Sequence, residues 1–512
     1  MSDSKIGSPK QSFLLGIDNG GTVIKAAIFD LEGKEIAVSS RQTDLIIPKP
    51  GYTERSMEEL WEQNCACIRN VIETSGIAPE TIAGVGVCGH GKGLYAWGKD
   101  GKPAYNGIIS TDNRAWQYPE KWKKDGTFDA LYPRLCQNIM ACQPVSILAW
   151  MKEHEKKVYD SIQWVFSVTD YIRFRLSGEA WSEATNISGS GLMNVRDSKI
   201  EEDILKAFSI AESFAMIPPL KYSNESCGKI TAEVAGLTGL SEGTTISGGM
   251  FDIDACAIAM AVTGPQQLCT ITGTWSINEF IAPAPITGTC VAMNSLYAIP
   301  GWYLLEESSA TGVGNFEWLI GNIFEHEKLT MGTSLYSYLN EETAKIKPDS
   351  CDVYYLPFLY GSNRHHLAKA GFIGLTNYHT KYHMLRAFYE GAAFSAKYHI
   401  DKLLSVRERP KAIRLAGGAA NSPLWVQIYA DVLELPVETV TGVKELGALG
   451  AAMAAAVSSG FFNDYNEAAA AMVRISSPVE PDTSTFPIYR KKYETYNQIC
   501  DAMDKVWHRF EV

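Results

Sequence analysis

Apolar residues crowd two segments near the start of the chain, residues 12–17 and 23–29, and residues 35–40 alternate apolar with polar. Small turn residues separate them, Asn19-Gly20-Gly21 and Leu31-Glu32-Gly33-Lys34. Three short strands joined by glycine-bearing turns predict an antiparallel meander. The period then changes. Met57, Leu60, Trp61, Ile68, Val71 and Ile72 recur at helical spacing. Ser56-Met57-Glu58-Glu59 has the form of a capping box and predicts where that helix starts. Residues 82–87 read as a buried strand that stops at Gly89-His90-Gly91-Lys92-Gly93. In an open α/β sheet, the loop at a strand end is where ligands bind.

The second half repeats the theme. Residues 268–272 predict a strand, Gly273-Thr274 a turn and residues 275–281 another strand. This echoes residues 14–29 as a weak internal duplication, strand, small hairpin with Thr, strand. A domain boundary is expected near residues 251–264. Helices are expected at 383–399, 422–433, 445–455 and 489–510. In the second of these, Ser422 is placed to cap and Pro423 to take the first helical position. Residues 1–11 are polar and read as a frayed leader.

Composition narrows the class. At 512 residues the chain has room for two or more domains. A net charge of −12 argues against a general nucleic-acid or anionic-membrane binder. No apolar stretch approaches the ~20 residues a membrane span needs. The 11 cysteines are dispersed and no signal-like run opens the chain, so a reduced cytoplasmic protein is expected. Cys65 and Cys67 lack a matching second pair, so no zinc site is expected. The total of 43 glycines is ordinary, and where they cluster carries the information.

Asp18-Asn19-Gly20-Gly21-Thr22-Val23-Ile24-Lys25 is the first candidate for chemistry. Gly20 and Gly21 let backbone N–H groups approach anionic oxygens, Thr22 adds a hydroxyl and Lys25 a cation. Asp18 supplies a carboxylate suited to hydrated Mg²⁺. A glycine-rich hairpin with a stray acid is the competing reading. Gly273 and Thr274 repeat the turn. Gly417-Gly418-Ala419-Ala420-Asn421-Ser422 runs from a strand into a capped helix, leaving room for a flat base or only for close packing. Asp252 and Asp254 follow a strand ending in Gly248-Gly249. Asp254 suits an N-cap, which leaves Asp252 as the general base. Asp112 and Arg114 would bind a polar ligand or form a surface ion pair. His365-His366 read as a loop feature.

Together these segments resemble the FGGY carbohydrate kinases, of the sugar kinase, Hsp70 and actin superfamily. Gly51-Tyr52-Thr53-Glu54-Arg55, Asp170-Tyr171, Leu356-Pro357-Phe358, Gly371-Phe372-Ile373-Gly374-Leu375, Glu390-Gly391-Ala392-Ala393-Phe394 and Glu445-Leu446-Gly447-Ala448-Leu449-Gly450 agree in order, from about residue 13 to about 460. The resemblance implies an α/β fold of two ribonuclease-H-like (actin-like ATPase) domains flanking a deep cleft. Residues 12–253 would bind sugar and carry the first phosphate loop, 254–475 would bind ATP, and 476–512 would form a helical tail. It implies ATP and Mg²⁺, with Asp252 as catalytic base and Asp18 and Asp252 at the metal. Gly20, Gly21, Thr22, Lys25, Gly273 and Thr274 would hold phosphates, and Gly417, Gly418 and Asn421 adenosine. Sugar contacts would come from His90, Lys92, Asp112, Arg114 and Asp252. Hinges are expected near 251–264 and 445–450, and a homodimer would be in keeping with the family.

Departures bear on the substrate. Gly21 stands where many members carry Thr, and Trp275 where several have a small residue. The 89–93 loop lacks the Arg-Glu pair of glycerol kinases and the Gln-Met-His-Gly of D-xylulose kinases. With Ser110-Thr111-Asp112-Asn113-Arg114 and Leu359-Tyr360-Gly361-Ser362-Asn363 it looks most like L-xylulose kinases, although His90 stands where Gln is expected. The expected reaction is L-xylulose to L-xylulose 5-phosphate. D-xylulose, ribulose or a small polyol are alternative acceptors, and a non-catalytic sugar sensor or a chaperone-like ATPase are alternative classes.

Overall fold

The computed structural model describes residues 12–273, 275–288, 293–365 and 367–510. Residues 1–11, Thr274 and His366 therefore lie outside the description. The predicted meander is β1 (Phe13–Asn19), β2 (Val23–Asp30) and β3 (Glu35–Gln42). With β4 (Ile82–Gly89), β5 (Ser226–Lys229) and β6 (Thr245–Ser247) it forms a sheet ordered β5-β6-β4-β1-β2-β3. The second sheet holds β7 (Cys269–Thr272), β8 (Ser276–Ala282), β9 (Met293–Leu296), β10 (Tyr303–Ser309), β11 (Ile413–Gly417) and β12 (Val437–Thr439). Its order is β9-β10-β8-β7-β11-β12.

Each sheet contains the same five-strand arrangement. An antiparallel meander pairs its first strand in parallel with a fourth, and the fourth with a fifth. The weak duplication in the sequence is thus a repeated topology. The extra strands β5 and β9 sit at opposite edges of it, and Met250–Phe251 adds a short strand pairing with β4.

Strand periodicity assigns the layers. Leu15 and Ile17 of β1 face one cluster with helix α1 (Met57–Ser75) and helix α2 (Val168–Ser177), whereas Leu14 faces another. A strand buried on both faces reads as a continuous apolar run, which is why 12–17 shows no alternation. The second face meets helix α3 (Asp252–Ala259). The far face of the second sheet is covered by α4 (Lys381–Leu404) and α5 (Pro423–Leu433). Helix α6 (Leu446–Ser458) joins α3 in a shared middle layer whose cluster includes Ile271 and Ala416 of the second sheet. Helix α7 (Phe486–Asp504) is no loose tail, since Tyr489, Tyr496 and Cys500 enter the core beneath α4.

Local signals mostly hold. Ser422 caps α5 by accepting the Trp425 N–H. Ser56 caps α1 by accepting the Glu59 N–H, but the reciprocal half of a capping box is not formed, because the Glu59 carboxylate accepts from Gln63 instead. The larger surprise is α6. Encoded in the second half, it lies on β1 and β4 of the first sheet. A Cβ added to Gly16 or Gly86 would sit 1.8 Å from the Ala448 or Ala451 carbonyl oxygen. Glycine is required there to let helix and sheet backbones touch. The segment expected as a hinge is the start of this tightly seated helix.

Candidate active site

Asp18 stands near the end of β1, cross-strand from Lys25 and beside Cys88 of β4. Its Oδ1 is buried without a hydrogen-bond partner. Its Oδ2 lies against Gly447, where an added Cβ would come within 2.6 Å. Burial lifts the Asp18 carboxyl to about 6, with Lys25 pulling it down and Glu445 pushing it up. An unpartnered carboxylate oxygen beside a second carboxylate is a donor set that suits a hard cation such as Mg²⁺.

That second carboxylate is Asp252, the first residue of α3 and half-buried. The backbone that carries it is held from several sides. The Phe251 N–H donates to Thr185 Oγ1 at 2.8 Å, and that hydroxyl donates to Glu183 Oε2 at 2.6 Å. Arg173, itself paired with Asp170 at 2.9 Å, donates to the Gly248 carbonyl. Burial first, then the charge of Asp18, push Asp252 up to about 8, while the Ile253 N–H and Lys92 pull the other way.

Asp254 is not the N-cap expected from sequence. Phe251, extended and held by Thr185, takes that position, so the helix begins at Asp252 and Asp254 falls inside it. Asp254 is fully buried. Its Oδ1 accepts the Ala298 N–H at 3.1 Å and its Oδ2 has no partner. Burial, then Glu183, holds it well above the ordinary carboxylate range.

Around the first turn, Thr22 is exposed and a Cβ on Gly21 would meet nothing within 4 Å. Lys25 is not a free cation, since its ammonium pairs with Glu445 Oε2 at 2.6 Å. Burial alone would lower Lys25, but the bond and charge of Glu445, helped by Asp18, hold it above its usual value. Glu445 immediately precedes α6, so this pair ties the turn to the crossing helix.

Beside Asp252, the other four expected sugar residues divide. His90 is buried with both ring nitrogens engaged: Nδ1 donates to the Gly91 carbonyl at 3.2 Å and Nε2 accepts from Tyr95 O–H at 3.0 Å. Burial, then the Arg55 charge, push it down to about 3, so the ring is neutral. Asp112 and Arg114 form a buried pair rather than a surface one. Both Asp112 oxygens accept from Arg114 at 2.9 Å, Asp112 Oδ2 also accepts the Thr53 N–H at 2.6 Å, and Arg114 reaches Glu54 at 2.7 Å. The guanidinium lies over Tyr52, 4.3 Å from the ring centre. Lys92 alone of the four has no oxygen partner among the described residues. Its φ of 63° is left-handed, a conformation costly without glycine and often kept for function.

In the second half, Thr272 ends β7 beside Gly417 of β11. Its hydroxyl donates to the Ala416 carbonyl at 2.7 Å and accepts the Ala419 N–H at 3.0 Å. Gly273 is therefore brought next to Gly417 and Gly418, and its carbonyl accepts the Val313 N–H at 2.6 Å. Gly417 has φ +83° with Thr272 backbone against its Cβ direction, and Gly418 abuts Val313. Both glycines, like Gly248 and Gly249, answer to the chain's own packing, so the close-packing reading holds for them. Gly21 faces open space, and a Cβ on Gly273 would touch only the Trp275 carbonyl oxygen, at 3.8 Å. Asn421 is exposed at the end of this turn.

Four neighbours of the site were not read from the sequence as site residues: Glu445, Thr185, Glu183 and Arg55, which donates to the Gly21 carbonyl. Glu445, Thr185 and Arg55 carry no local signal, because each acts on a partner more than 30 residues distant in the chain, and Glu183 reaches the site only through Thr185.

Residues 13–259 match the N-terminal domain of the FGGY family of carbohydrate kinases, and residues 268–459 its C-terminal domain. The chain is 35% identical over 492 residues to an L-xylulose/3-keto-L-gulonate kinase of Escherichia coli K12, covering 96% of this chain and 97% of that one. It is 34% identical over 494 residues to a probable L-xylulose kinase of Pasteurella multocida, covering 96% and 99%. Among solved structures, a xylulose kinase of Rhodospirillum rubrum superimposes with a TM-score of 0.84 at 24% identity, covering 97% of this chain and all of that one.

Proposed function

The chain belongs to the FGGY family of carbohydrate kinases, and from that premise we propose that it transfers the γ-phosphoryl group of ATP to a hydroxyl of a ketopentose, L-xylulose first. One observation supports the chemistry above the rest: Asp18 and Asp252, distant in sequence, lie near enough for the charge of Asp18 to raise Asp252, and one oxygen of Asp18 is left unpartnered. The substrate rests on the names of the relatives and on the loop around His90.

Asp252 is the general base. A base works best with a pKa near the working pH, and burial with Asp18 puts it at about 8. Ionised Asp252 accepts the hydroxyl proton as oxygen attacks phosphorus in line. Asp18 and Asp252 would hold Mg²⁺, which when bound offsets the charge of the transferred group. The turns at Gly21 and Gly273 face phosphates, and Gly417, Gly418 and Asn421 border the nucleoside. Lys92 is the polar side chain left free for sugar, whereas Asp112, Arg114 and His90 shape the wall behind it. The units proposed for sugar and for nucleotide span 12–253 and 254–475, with 476–512 as tail.

A coupled ADP-release screen tests the reading. L-xylulose, D-xylulose, ribulose, 3-keto-L-gulonate, small polyols and glycerol are offered with MgATP. Turnover on L-xylulose above the others is expected. A preference for another sugar replaces the substrate, and silence on all of them favours a sugar sensor.

A further inference from the structure

Two arginines are among the largest fully buried side chains, Arg55 and Arg173, and each grips the carbonyl of a glycine turn. Arg173 holds Gly248, upstream of Asp252, and is neutralised by Asp170 at 2.9 Å. Arg55 holds the turn after Asp18. Its Nη2 donates to the Gly21 carbonyl and stands 3.5 Å from the Gly20 carbonyl. Among the described residues no carboxylate pairs with Arg55, and its Nε and Nη1 are buried without an acceptor.

The peptide plane turns this contact into an orientation. In a trans peptide the C=O and the following N–H point in opposite directions. Drawing the Gly20 and Gly21 carbonyls towards Arg55 therefore aims the Gly21 and Thr22 N–H groups away from it. The Gly20 N–H is spent inside the hairpin, on the Val23 carbonyl at 3.1 Å. The Gly21 and Thr22 N–H groups have no acceptor among the described residues, and beyond Gly21 the space is open. A buried unpaired charge destabilises the empty protein. A polyanion bound beside it relieves that cost, and in a chain of net charge −12 such a local cation matters more.

We propose that Arg55 is a positioning residue for phosphoryl transfer, orienting the N–H groups of the β1–β2 turn towards the nucleotide phosphates and placing an unneutralised positive charge behind them. This rests on the reading of that turn as a phosphate loop. The role is distinct from that of Lys25, whose charge is taken by Glu445.

The test compares Arg55→Gln, Arg55→Lys and Gly21→Val in the full chain, with kcat, the KM for ATP and the KM for sugar measured separately. Arg55→Gln is expected to raise the ATP KM about tenfold and lower kcat about tenfold, with the sugar KM within about twofold. Arg55→Lys keeps the charge and recovers part of both, and it stands in if Arg55→Gln fails to fold. ADP should raise the unfolding temperature of Arg55→Gln less than that of the parent. Equal losses for sugar and ATP, or ATP parameters unchanged in folded Arg55 variants, would overturn the proposal. Gly21→Val separates the two layers, because it blocks the open side of the turn. If it leaves ATP KM unchanged, the phosphate-loop reading itself fails. If it raises ATP KM while Arg55→Gln does not, only the Arg55 inference fails.

Discussion

The hairpins β1–β2 and β7–β8 occupy the same place in two copies of one topology, yet they end differently. Thr272 closes the first strand of the second hairpin, and its hydroxyl both donates and accepts within the protein. Asp18 stands one residue before the end of the first strand of the other hairpin and leaves Oδ1 unsatisfied. Buried polar atoms are nearly always paired, so the exception needs an explanation. The duplicated fold supplies two backbone cradles: at the strand end of the first a carboxylate oxygen is left unpaired, whereas at that of the second Thr272 is satisfied within the protein. In the second hairpin Thr272 ties the strand end to the glycine turn at 417–418.

The largest test of that contrast is Asp252→Ala. Loss of a general base is expected to cost about 10³-fold in kcat while ATP binding largely survives. Activity within a few-fold of the parent, in coupled assays, would remove Asp252 from the base role. Next is Asp18→Asn, expected to lower kcat about 10²-fold. It also carries a pH signature. Because the Asp18 charge helps hold Asp252 at about 8, its removal lowers the Asp252 pKa. The rising limb of kcat/KM against pH should then move to lower pH, and a limb that stays in place would show the two carboxylates to be uncoupled.

Thr272→Val should separate the hairpins. It strands the Ala416 carbonyl and the Ala419 N–H, so denaturant titration should find a loss of about 1–3 kcal/mol. Turnover at low temperature should change by much less than in Asp18→Asn. The reverse ordering would make the second hairpin the chemical one. The smallest effect is expected from Asp254→Asn. Burial keeps this carboxyl protonated above its ordinary range. The native state thus binds more protons than the unfolded chain, and stability falls as pH rises from the ordinary carboxylate pKa towards the raised one. The amide, which does not ionise, should match the parent in acid and be the more stable variant at alkaline pH, as read by thermal unfolding across pH.

Sequence reading succeeded where the signal is local. The meander, the Ser422 cap and the echo between residues 14–29 and 268–281 follow from periodicity and turn chemistry, which neighbours in the chain decide. It failed where a side chain answers to something distant. Asp112-Asn113-Arg114 looks like a surface pair until Glu54 and Tyr52 enclose it. Asp254 looks like a cap until Thr185 pins Phe251 and starts the helix earlier. Lys25 looks free until Glu445 arrives from the other half of the chain. Glycines misled in both directions, since the same residue type serves an open turn at Gly21 and a helix contact at Gly16.

That helix contact also constrains how the molecule is made. The first sheet has all its strands once Phe251 is synthesised, but α6, which covers one face of it, begins at Leu446. Roughly 200 residues separate the two, or some 10–40 s of translation at ~5–20 residues per second. Throughout that interval the glycine-lined face of β1 and β4 waits on the ribosome without its cover. The halves are thus repeats in topology but not in assembly: the first cannot be finished before the second has nearly all emerged.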